Sequence, residues 1–377
     1  MNKVQRIISA SLFIIIIAVF SLINAKELLL NQEPDGRFIG LNQLETIRDD
    51  AVSLWSLMPR LTGQKSIYGS TEYEHVINLG DGYYALADPS ASTQAGKAGA
   101  LEGMALANQL DIPFLFVLVP PKQEASDQSY EEINDYALEK YNEFSSWLLD
   151  NDIPSLLMRD IFMESAEDYK SFFYKTDHHE NTKAAFLIYQ SISDYIDKNT
   201  SFDINESLLD INSYRIVHYE DIFLGSAGRL SGVLYTGLDD YELILPDFDT
   251  SVELITKSQG IDISGTFEDT LVYYDNLDGY SYDYYAYYSY LNEDYDITKL
   301  INHNNPDGPK IIIIRDSTAV PVSCFLIMQC SEIELISLRY VDDNSSIPEY
   351  IIQENPDMII YCFGSGFLGD EGAMCFN

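Results

Sequence analysis

Two short pieces of the sequence carry side chains that can do nucleophilic chemistry together. The run TDHH places Asp177 two residues before His179, and Ser317 follows the apolar run IIIIRD. A serine hydroxyl is a weak nucleophile at neutral pH and needs an adjacent base. Histidine suits that role because its unperturbed pKa is about 6.5, and a carboxylate can fix its tautomer. The pattern predicts a triad of Ser317, His179 and Asp177.

Simpler interpretations of the same residues stay open at this point. TDHH precedes a predicted helix, so it also fits an N-terminal cap followed by solvated histidines. An Asp-Ser pair after a strand also occurs in loops that only bind. A metal site is not expected, because a metal needs three or four ligands and the other histidines, His75, His218 and His303, lie in no motif. No cofactor is predicted.

The composition argues against nucleic acid as a partner and disfavours a strongly anionic substrate. Of 377 residues, 46% are hydrophobic, which is enough for a full core, and the formal net charge is −38. Nucleic acid is not expected as a partner, because a phosphate backbone is held by Lys and Arg, of which there are 22 beside 60 acidic residues. An acidic surface also repels anionic polymers, so a strongly anionic substrate is less favourable.

The N-terminus is typical of an exported protein. Lys3 and Arg6 precede an apolar run from Ile7 to about Ile23, and Ala25 offers a small residue for cleavage. The run is also close to the roughly 20 residues that span a bilayer, so an uncleaved anchor is the alternative. The chain is expected to work outside the cytoplasm, either secreted or anchored. We predict a signal peptide or membrane anchor at 1–25, a membrane-proximal segment at 26–70 and a globular domain at 71–377.

The four cysteines all lie in the last quarter of the chain and form no CxxC pair, which argues against a zinc ribbon. An exported protein can pair its cysteines as disulfides. However, Cys324, Cys330 and Cys362 lie in apolar runs, which favours buried free thiols over disulfides.

Strand-like and helix-like segments alternate through most of the chain. Strands are predicted at 113–120, 153–158, 309–317, 333–340 and 357–363, with a hairpin at 75–88. Helices are predicted at 131–151, from residue 182 onward, at 319–330 and at 346–355. This alternation predicts an α/β fold with a mostly parallel sheet flanked by helices on both faces. Such a sheet binds ligands at the carboxyl ends of its strands, and Ser317 stands at one of them.

The region from about 210 to 300 differs in character. YRIVHY, YELIL, SVELI and TLVYYD are short β-like pieces separated by Gly, Asp and Asn, which predicts an antiparallel, β-rich insertion. Within it, residues 273–295 are rich in tyrosine. These tyrosines are predicted either to pack as a hairpin or short helix, or to stack on sugar rings.

Several segments, in this order, resemble the DHHW family of exported bacterial proteins, relatives of the alginate O-acetyltransferases with an SGNH-hydrolase-like domain. The resemblance runs from about residue 75 to 363 through NLGDGYYAL, VLVPPKQE, YKTDHHENTKAAF, GRLSGVLYTG, IIIIRDSTAVP, ISLRY and ENPDMIIY. It implies that Asp177 orients the base His179 and that Ser317 is the nucleophile. It also implies that His178, Arg339 and Tyr340 lie beside the triad, either to support it or to stabilise an oxyanion.

The resemblance implies an exported serine O-acyltransferase or esterase that acts on a cell-surface polysaccharide, with a membrane protein as acetyl donor. Three residues depart from the family pattern: Glu180 replaces the tryptophan for which the family is named, Ala184 replaces a glycine, and Thr318 replaces a larger residue. A carboxylate at position 180 would raise the pKa of His179. Glu180 and the tyrosine-rich stretch favour the alternative, a non-catalytic surface protein that binds glycans or a protein partner.

Overall fold

The computed structural model of the protein describes residues 41–124, 133–282 and 285–376. The predicted signal peptide or anchor at 1–25 lies outside these residues, as does the membrane-proximal segment before residue 41. Among the described residues, no helix is long and apolar enough to cross a membrane.

The strands of the described residues form one large sheet and two small ones. Their bounds are β1 (Ser66–Ile67), β2 (Val76–Gly80), β3 (Tyr83–Leu86), β4 (Phe114–Val119), β5 (Ser155–Leu157), β6 (Tyr214–Phe223), β7 (Asp239–Pro246), β8 (Val252–Thr256), β9 (Ile261–Gly265), β10 (Ile297–Asn302), β11 (Lys310–Arg315), β12 (Glu332–Ile336) and β13 (Met358–Gly364).

The α-helices vary from four to 22 residues in length. Their bounds are α1 (Leu41–Thr62), α2 (Gln94–Leu110), α3 (Ala137–Asp150), α4 (Met158–Glu164), α5 (Thr182–Asn199), α6 (Ser226–Ser231), α7 (Val233–Thr236), α8 (Phe267–Leu271), α9 (Ala319–Leu326), α10 (Ile347–Glu354) and α11 (Glu371–Met374).

The central sheet has eight strands in the order β5-β4-β13-β11-β12-β10-β8-β9. Its first five strands are parallel, which confirms the predicted mostly parallel α/β fold. The last three, β10, β8 and β9, are antiparallel and come from the region of the predicted β-rich insertion or its end. The insertion therefore extends the sheet, while its other two strands, β6 and β7, pair as a separate antiparallel ribbon.

The parallel strands are buried on both faces, as their continuous apolar sequences predict. In β4, Phe114, Phe116 and Leu118 pack into one hydrophobic cluster. The alternate residues Leu115, Val117 and Val119 pack into the other. Successive side chains of a strand point to opposite faces, so each strand contributes to two cores. Helices cover both faces: α2 and α3 contribute to the first cluster, and α5 and α9 to the second.

Several element boundaries differ from the prediction. The helix predicted at 131–151 begins only at Ala137, and the strand predicted at 333–340 ends at Ile336, before a 3-10 turn. The piece TLVYYD forms no strand. Its first two residues end α8, which Thr266 caps with its hydroxyl, Val272 makes only an isolated bridge to Tyr290, and a 3-10 turn begins at Tyr274. Helix α1, inside the predicted membrane-proximal segment, was not predicted at all.

All four cysteines are buried free thiols. This agrees with the interpretation that the apolar runs around Cys324, Cys330 and Cys362 favoured.

Candidate active site

A cavity of about 780 Å³ lies at the carboxyl ends of the neighbouring strands β4, β13 and β11. Lys122 reaches it from the segment after β4, Ser317 from the turn after β11, and Phe367 from the turn after β13. The imidazoles of His178 and His179 also line it. This is the place where open parallel sheets bind ligands.

The loop before α5 fixes Asp177 and His179 in one turn. The backbone N–H of His179 donates to Asp177 Oδ1 at 3.0 Å, a local bond that aspartate makes readily in turns. Asn181 then caps α5 by accepting the N–H of Ala184 at 3.0 Å. Before Asp177 in the loop, the backbone N–H groups of Lys175 and Thr176 donate to the buried carboxylate of Asp239. The helix cap and the histidine pair are therefore parts of the same loop.

The three predicted residues meet in a hydrogen-bonded chain. His179 Nδ1 lies 2.6 Å from Asp177 Oδ1, and His179 Nε2 lies 2.7 Å from Ser317 Oγ. Both distances are within hydrogen-bond reach, with carboxylate, imidazole and hydroxyl in the order that general-base activation of a serine requires.

Ser317 stands on a tight turn between β11 and α9. The buried carboxylate of Asp316 holds this turn, because Oδ1 accepts the N–H of Thr318 at 2.9 Å and Oδ2 accepts the N–H of Gly364 at 2.8 Å. The second bond links the end of β11 to the end of β13. The serine is only 6% exposed, yet it lines the cavity.

Asp177 is fully buried and surrounded by donors. Its Oδ2 accepts the N–H of Ser226 at 2.7 Å and the phenol O–H of Tyr285. Burial alone would raise the pKa of Asp177, but the charges of His178 and His179 and the bonds from His179 and Tyr285 outweigh it and lower the pKa well below the usual value. The carboxylate is therefore ionised at neutral pH.

The pKa of His179 is raised by its acidic neighbours. Burial opposes the shift, and the charge and hydrogen bond of Asp177, with the charges of Glu180 and Asp316, outweigh it. The ring of Tyr287 stacks on the imidazole, with 3.8 Å between centroids and 12° between planes. The ring of Tyr287 thus covers one face of the imidazole, and the raised pKa means that His179 is protonated at a higher pH than a free histidine.

Glu180 occupies the position of the family tryptophan and is only 2% exposed, on the cavity wall. Burial raises its pKa to about 7. The O–H of Tyr287 donates to Oε1 at 3.5 Å. Its charge acts on His179 in the direction that the sequence predicted.

Lys122 belongs to the site and was not singled out from the sequence. Its buried Nζ donates to the carbonyl oxygens of Tyr84 at 2.6 Å, Lys175 at 3.2 Å and Asp177. Burial lowers the pKa of Lys122 to about 8. The only sequence signal was its place directly after the Pro-Pro end of a buried strand. Tyr285 and Tyr287 were likewise missed as neighbours of the triad.

Of the three residues expected beside the triad, the structure brings one to it. The ring of His178 lies 3.8 Å from that of His179, its Nδ1 is 2.8 Å from Ser226 Oγ, and its side chain is 42% exposed. Arg339 bonds to Asp294 at 2.6 Å and lies over the ring of Phe367, so it is behind a lining residue and does not itself line the cavity. Tyr340 is 51% exposed and also lies outside the lining.

Two groups of the described residues have the geometry to hold a metal ion, and both are engaged within the protein. Asp177, His178 and His179 bring ligand atoms within 4.8 Å of one another, but both ring nitrogens of His179 already bond within the triad. The second group, Glu332, Glu334 and Glu354, is paired with Lys299 and Lys310.

Solved structures with the same fold include a DHHW family protein. The Eubacterium siraeum DHHW protein matches with a TM-score of 0.61 and 16% identity, covering 82% of this chain and 96% of its own. Bacillus cereus PatB1 matches with a TM-score of 0.62 and 21% identity, covering 79% and 99%, and its structure with a sulfonyl adduct has a TM-score of 0.61. No protein-family model and no curated protein matches the chain. The resemblance to the DHHW family is thus confirmed at the level of the fold.

Proposed function

We propose that the protein is an exported serine O-acyltransferase or esterase that acts on a cell-surface polysaccharide through Ser317, His179 and Asp177. The observation that carries this proposal is the position of the His179 imidazole, 2.6 Å from Asp177 and 2.7 Å from Ser317. Nucleophilic acyl transfer requires a base within hydrogen-bond distance of a serine hydroxyl that a ligand can reach. The fold shared with PatB1, which forms a sulfonyl adduct, supports the same chemistry.

The reaction has two half-reactions. In the first, Ser317 Oγ attacks the acyl carbonyl carbon of the donor while His179 Nε2 takes the hydroxyl proton. The tetrahedral intermediate then expels the leaving group, which receives that proton, and an acyl-serine remains. In the second, a sugar hydroxyl gives its proton to Nε2 and attacks the acyl-serine, so the ester passes to the sugar and Ser317 regains its proton. Asp177 stays ionised and stabilises the imidazolium in both.

The cavity suits an uncharged sugar acceptor better than an anionic one. Its volume of about 780 Å³ falls within the range of small-ligand sites. Tyr73 and Phe367 present aromatic rings to it, and such rings pack against the apolar faces of sugars. Asp370 and Glu371 add carboxylates at its edge, which oppose an anionic polymer.

Export and an acetyl-donor partner complete the proposal. The apolar run within residues 1–25 supports an extracytoplasmic location, in which a cell-surface polysaccharide is accessible. A donor outside the cytoplasm must be supplied with acetyl groups across the membrane, which is the role we assign to a membrane protein partner.

Labelling and hydrolysis test the nucleophile. Purified protein is incubated with an aryl sulfonyl fluoride and, separately, with a chromogenic acetyl ester. We expect a mass increase of one sulfonyl group and ester turnover, both absent in Ser317→Ala. Ser90→Ala is the matched control, because Ser90 lines the same cavity without contacting His179. Equal labelling and turnover in wild type and Ser317→Ala would refute the proposal.

Acceptor experiments separate transfer from hydrolysis. Neutral sugar oligomers are added to the ester assay, and acetylated oligomers are sought by mass spectrometry; their formation identifies a transferase, and free acetate alone identifies an esterase. The non-catalytic alternative is favoured by Glu180, a carboxyl group where the family has an aromatic ring. Glycan binding that survives in Ser317→Ala, without turnover in either form, would establish that alternative.

A further inference from the structure

Two tyrosines of the tyrosine-rich segment, residues 273–295, contact every member of the candidate triad. The O–H of Tyr285 donates to Asp177 Oδ2. The ring of Tyr287 stacks on the imidazole of His179 at 3.8 Å, and its O–H donates to the backbone carbonyl oxygen of Ser317 at 3.0 Å. The short 3-10 turn Ala286–Ser289 brings both rings to the same side of the site.

We propose that Tyr285 and Tyr287 form a clamp that positions the triad, so that the β-rich insertion completes the active site. This inference rests on the proposed function, since it assigns roles around the same three residues. Tyr285 acts through its hydroxyl, which fixes the orientation of the Asp177 carboxylate. Tyr287 acts mainly through its ring, which limits rotation of the imidazole and keeps Nε2 directed at Ser317. Both are positioning residues, because they touch the triad and do not line the cavity.

The position of these rings argues against a role in stacking on sugars. Tyr287 is 2% exposed, and neither Tyr285, which is partly buried, nor Tyr287 is part of the cavity wall. The imidazole of His179 covers one face of the Tyr287 ring, and the guanidinium of Arg229 lies over the ring of Tyr285. A ring stacked on the imidazole also excludes water from that face, which strengthens the hydrogen bond between His179 and Asp177.

The clamp is anchored to the strand that carries the nucleophile. Asp294, at the end of the tyrosine-rich segment, pairs with Arg315, the last residue of β11, and with Arg339. Arg315 is buried, so this pair is held in a low-dielectric environment and breaking it would leave an unpaired buried charge. At the other side, the guanidinium of Arg229 lies over the ring of Tyr285, 5.4 Å from its centroid. Tyr285 and Asp294 are thus fixed relative to Asp177 and to the end of β11, respectively.

The test uses the rate at which an aryl sulfonyl fluoride labels Ser317, followed by intact-protein mass spectrometry across a range of pH. This rate reports general-base activation without needing the natural substrate. The variants are Tyr285→Phe, Tyr287→Phe and Tyr287→Leu. Tyr288→Phe is the matched control, because this tyrosine is in the same turn and its ring contacts those of Tyr285 and Tyr287. Thermal unfolding of each variant reports whether it is folded.

The expected results differ between the two positions. Tyr285→Phe removes one hydrogen bond to a charged group and should slow labelling roughly tenfold. The pH midpoint of its labelling rate should rise. Without the Tyr285 O–H, the negative charge of the Asp177 carboxylate is less compensated and stabilises the imidazolium of His179 more strongly. Tyr287→Phe keeps the stacked ring and should stay within about twofold of wild type, whereas Tyr287→Leu should slow labelling by about tenfold or more. The other charged and titratable groups around His179 are present in all variants: His178, Glu180, Asp316 and Lys122. Both Tyr287 variants remove the O–H that lies 3.5 Å from Glu180 Oε1.

This pattern separates positioning from general packing. Labelling of Tyr285→Phe at the wild-type rate and pH midpoint would overturn the clamp, as would equal slowing in Tyr288→Phe. If Tyr287→Leu does not fold, the contrast between Tyr285→Phe and Tyr287→Phe carries the test alone, and equal rates in these two refute it. A general loss of stability would not slow Tyr285→Phe while leaving Tyr287→Phe near the wild-type rate.

A second readout does not depend on labelling. The proton between His179 Nδ1 and Asp177 Oδ1 should give a low-field resonance in proton NMR. We expect it in wild type and Tyr288→Phe, a changed shift in Tyr285→Phe, and a broadened or lost signal in Tyr287→Leu. If wild type is not labelled, the proposed function fails while this resonance still decides on the clamp. An identical resonance in all four proteins would refute the clamp even if labelling succeeds.

Discussion

The substitution Glu180→Gln tests the electrostatics of the site most directly, because it removes a charge at nearly constant volume. The ionised carboxylate favours the imidazolium and helps to raise the pKa of His179. An opposite charge at about 4–6 Å is worth ~1–3 pKa units. Glu180 acts less strongly than Asp177, and with a pKa of about 7 it is only half ionised near neutrality. We therefore expect the pKa of His179 to fall by about half a unit, or ~0.7 kcal/mol.

The sign follows from the role as a base that we propose for the His179 imidazole. His179 must be neutral to accept the proton of Ser317, so the rate rises as the pH passes through its pKa. In Glu180→Gln the midpoint of this acid limb should move down by about half a unit. Around the midpoint the variant should be about twofold faster than wild type. The two should be equal on the alkaline plateau, and they should converge again at acid pH, where Glu180 with its pKa of about 7 is itself protonated.

The measurement is kcat/KM for a chromogenic acetyl ester between about pH 5 and 9, which reports ionisations of the free enzyme. The matched control is Asp370→Asn, an exposed carboxylate on the same cavity that is not among the charges raising the pKa of His179. A midpoint that stays in place or moves up in Glu180→Gln would refute this reasoning. So would an equal downward shift in Asp370→Asn, since the effect would then belong to the cavity as a whole.

Three further substitutions probe the support of the site. Gly225→Ala would place a Cβ 2.4 Å from Asp177 Cβ, so the loop must move and the sulfonyl labelling rate should fall about a hundredfold with an unchanged circular dichroism spectrum. Asp239→Ala leaves the buried N–H of Thr176 and a neighbouring N–H without their acceptor and should lower the free energy of unfolding by ~3 kcal/mol in urea denaturation. Phe367→Ala should raise KM for an oligosaccharide acceptor ~2–10-fold while leaving KM for a small ester unchanged.

Most of the fold could be predicted from local patterns. The runs FLFVLV and IIII are apolar throughout, which is expected only when a strand is covered on both faces, and they belong to the interior strands β4 and β11 of the sheet. Prediction failed where local signals compete. TLVYYD has the composition of a strand, but a threonine cap and two acidic residues at the start of α8 favour the helix. The end of β12 at Ile336 likewise depends on how far its neighbouring strands continue.

The sequence by itself determined Asp177 and His179 as a local pair, because an aspartate accepts the N–H two residues on and the following helix needs a cap. Its apolar runs determined where strands end, and so placed Ser317 at the binding edge of a sheet. Only the tertiary structure decided that these groups meet. Ser317 is 138 residues from His179, and their contact depends on α5, which follows His179, packing in the same hydrophobic cluster as α9, which follows Ser317.

The support of the pair was also decided by the tertiary structure. Three side chains contact the candidate triad although they are far from it in sequence, and no spacing in the sequence relates them to it: Lys122, Tyr285 and Tyr287. A buried amine, a phenol hydroxyl and a stacked ring gain their roles from partners far along the chain. Their types can be read from the sequence, but their contacts arise only when the sheet and the insertion enclose the same space.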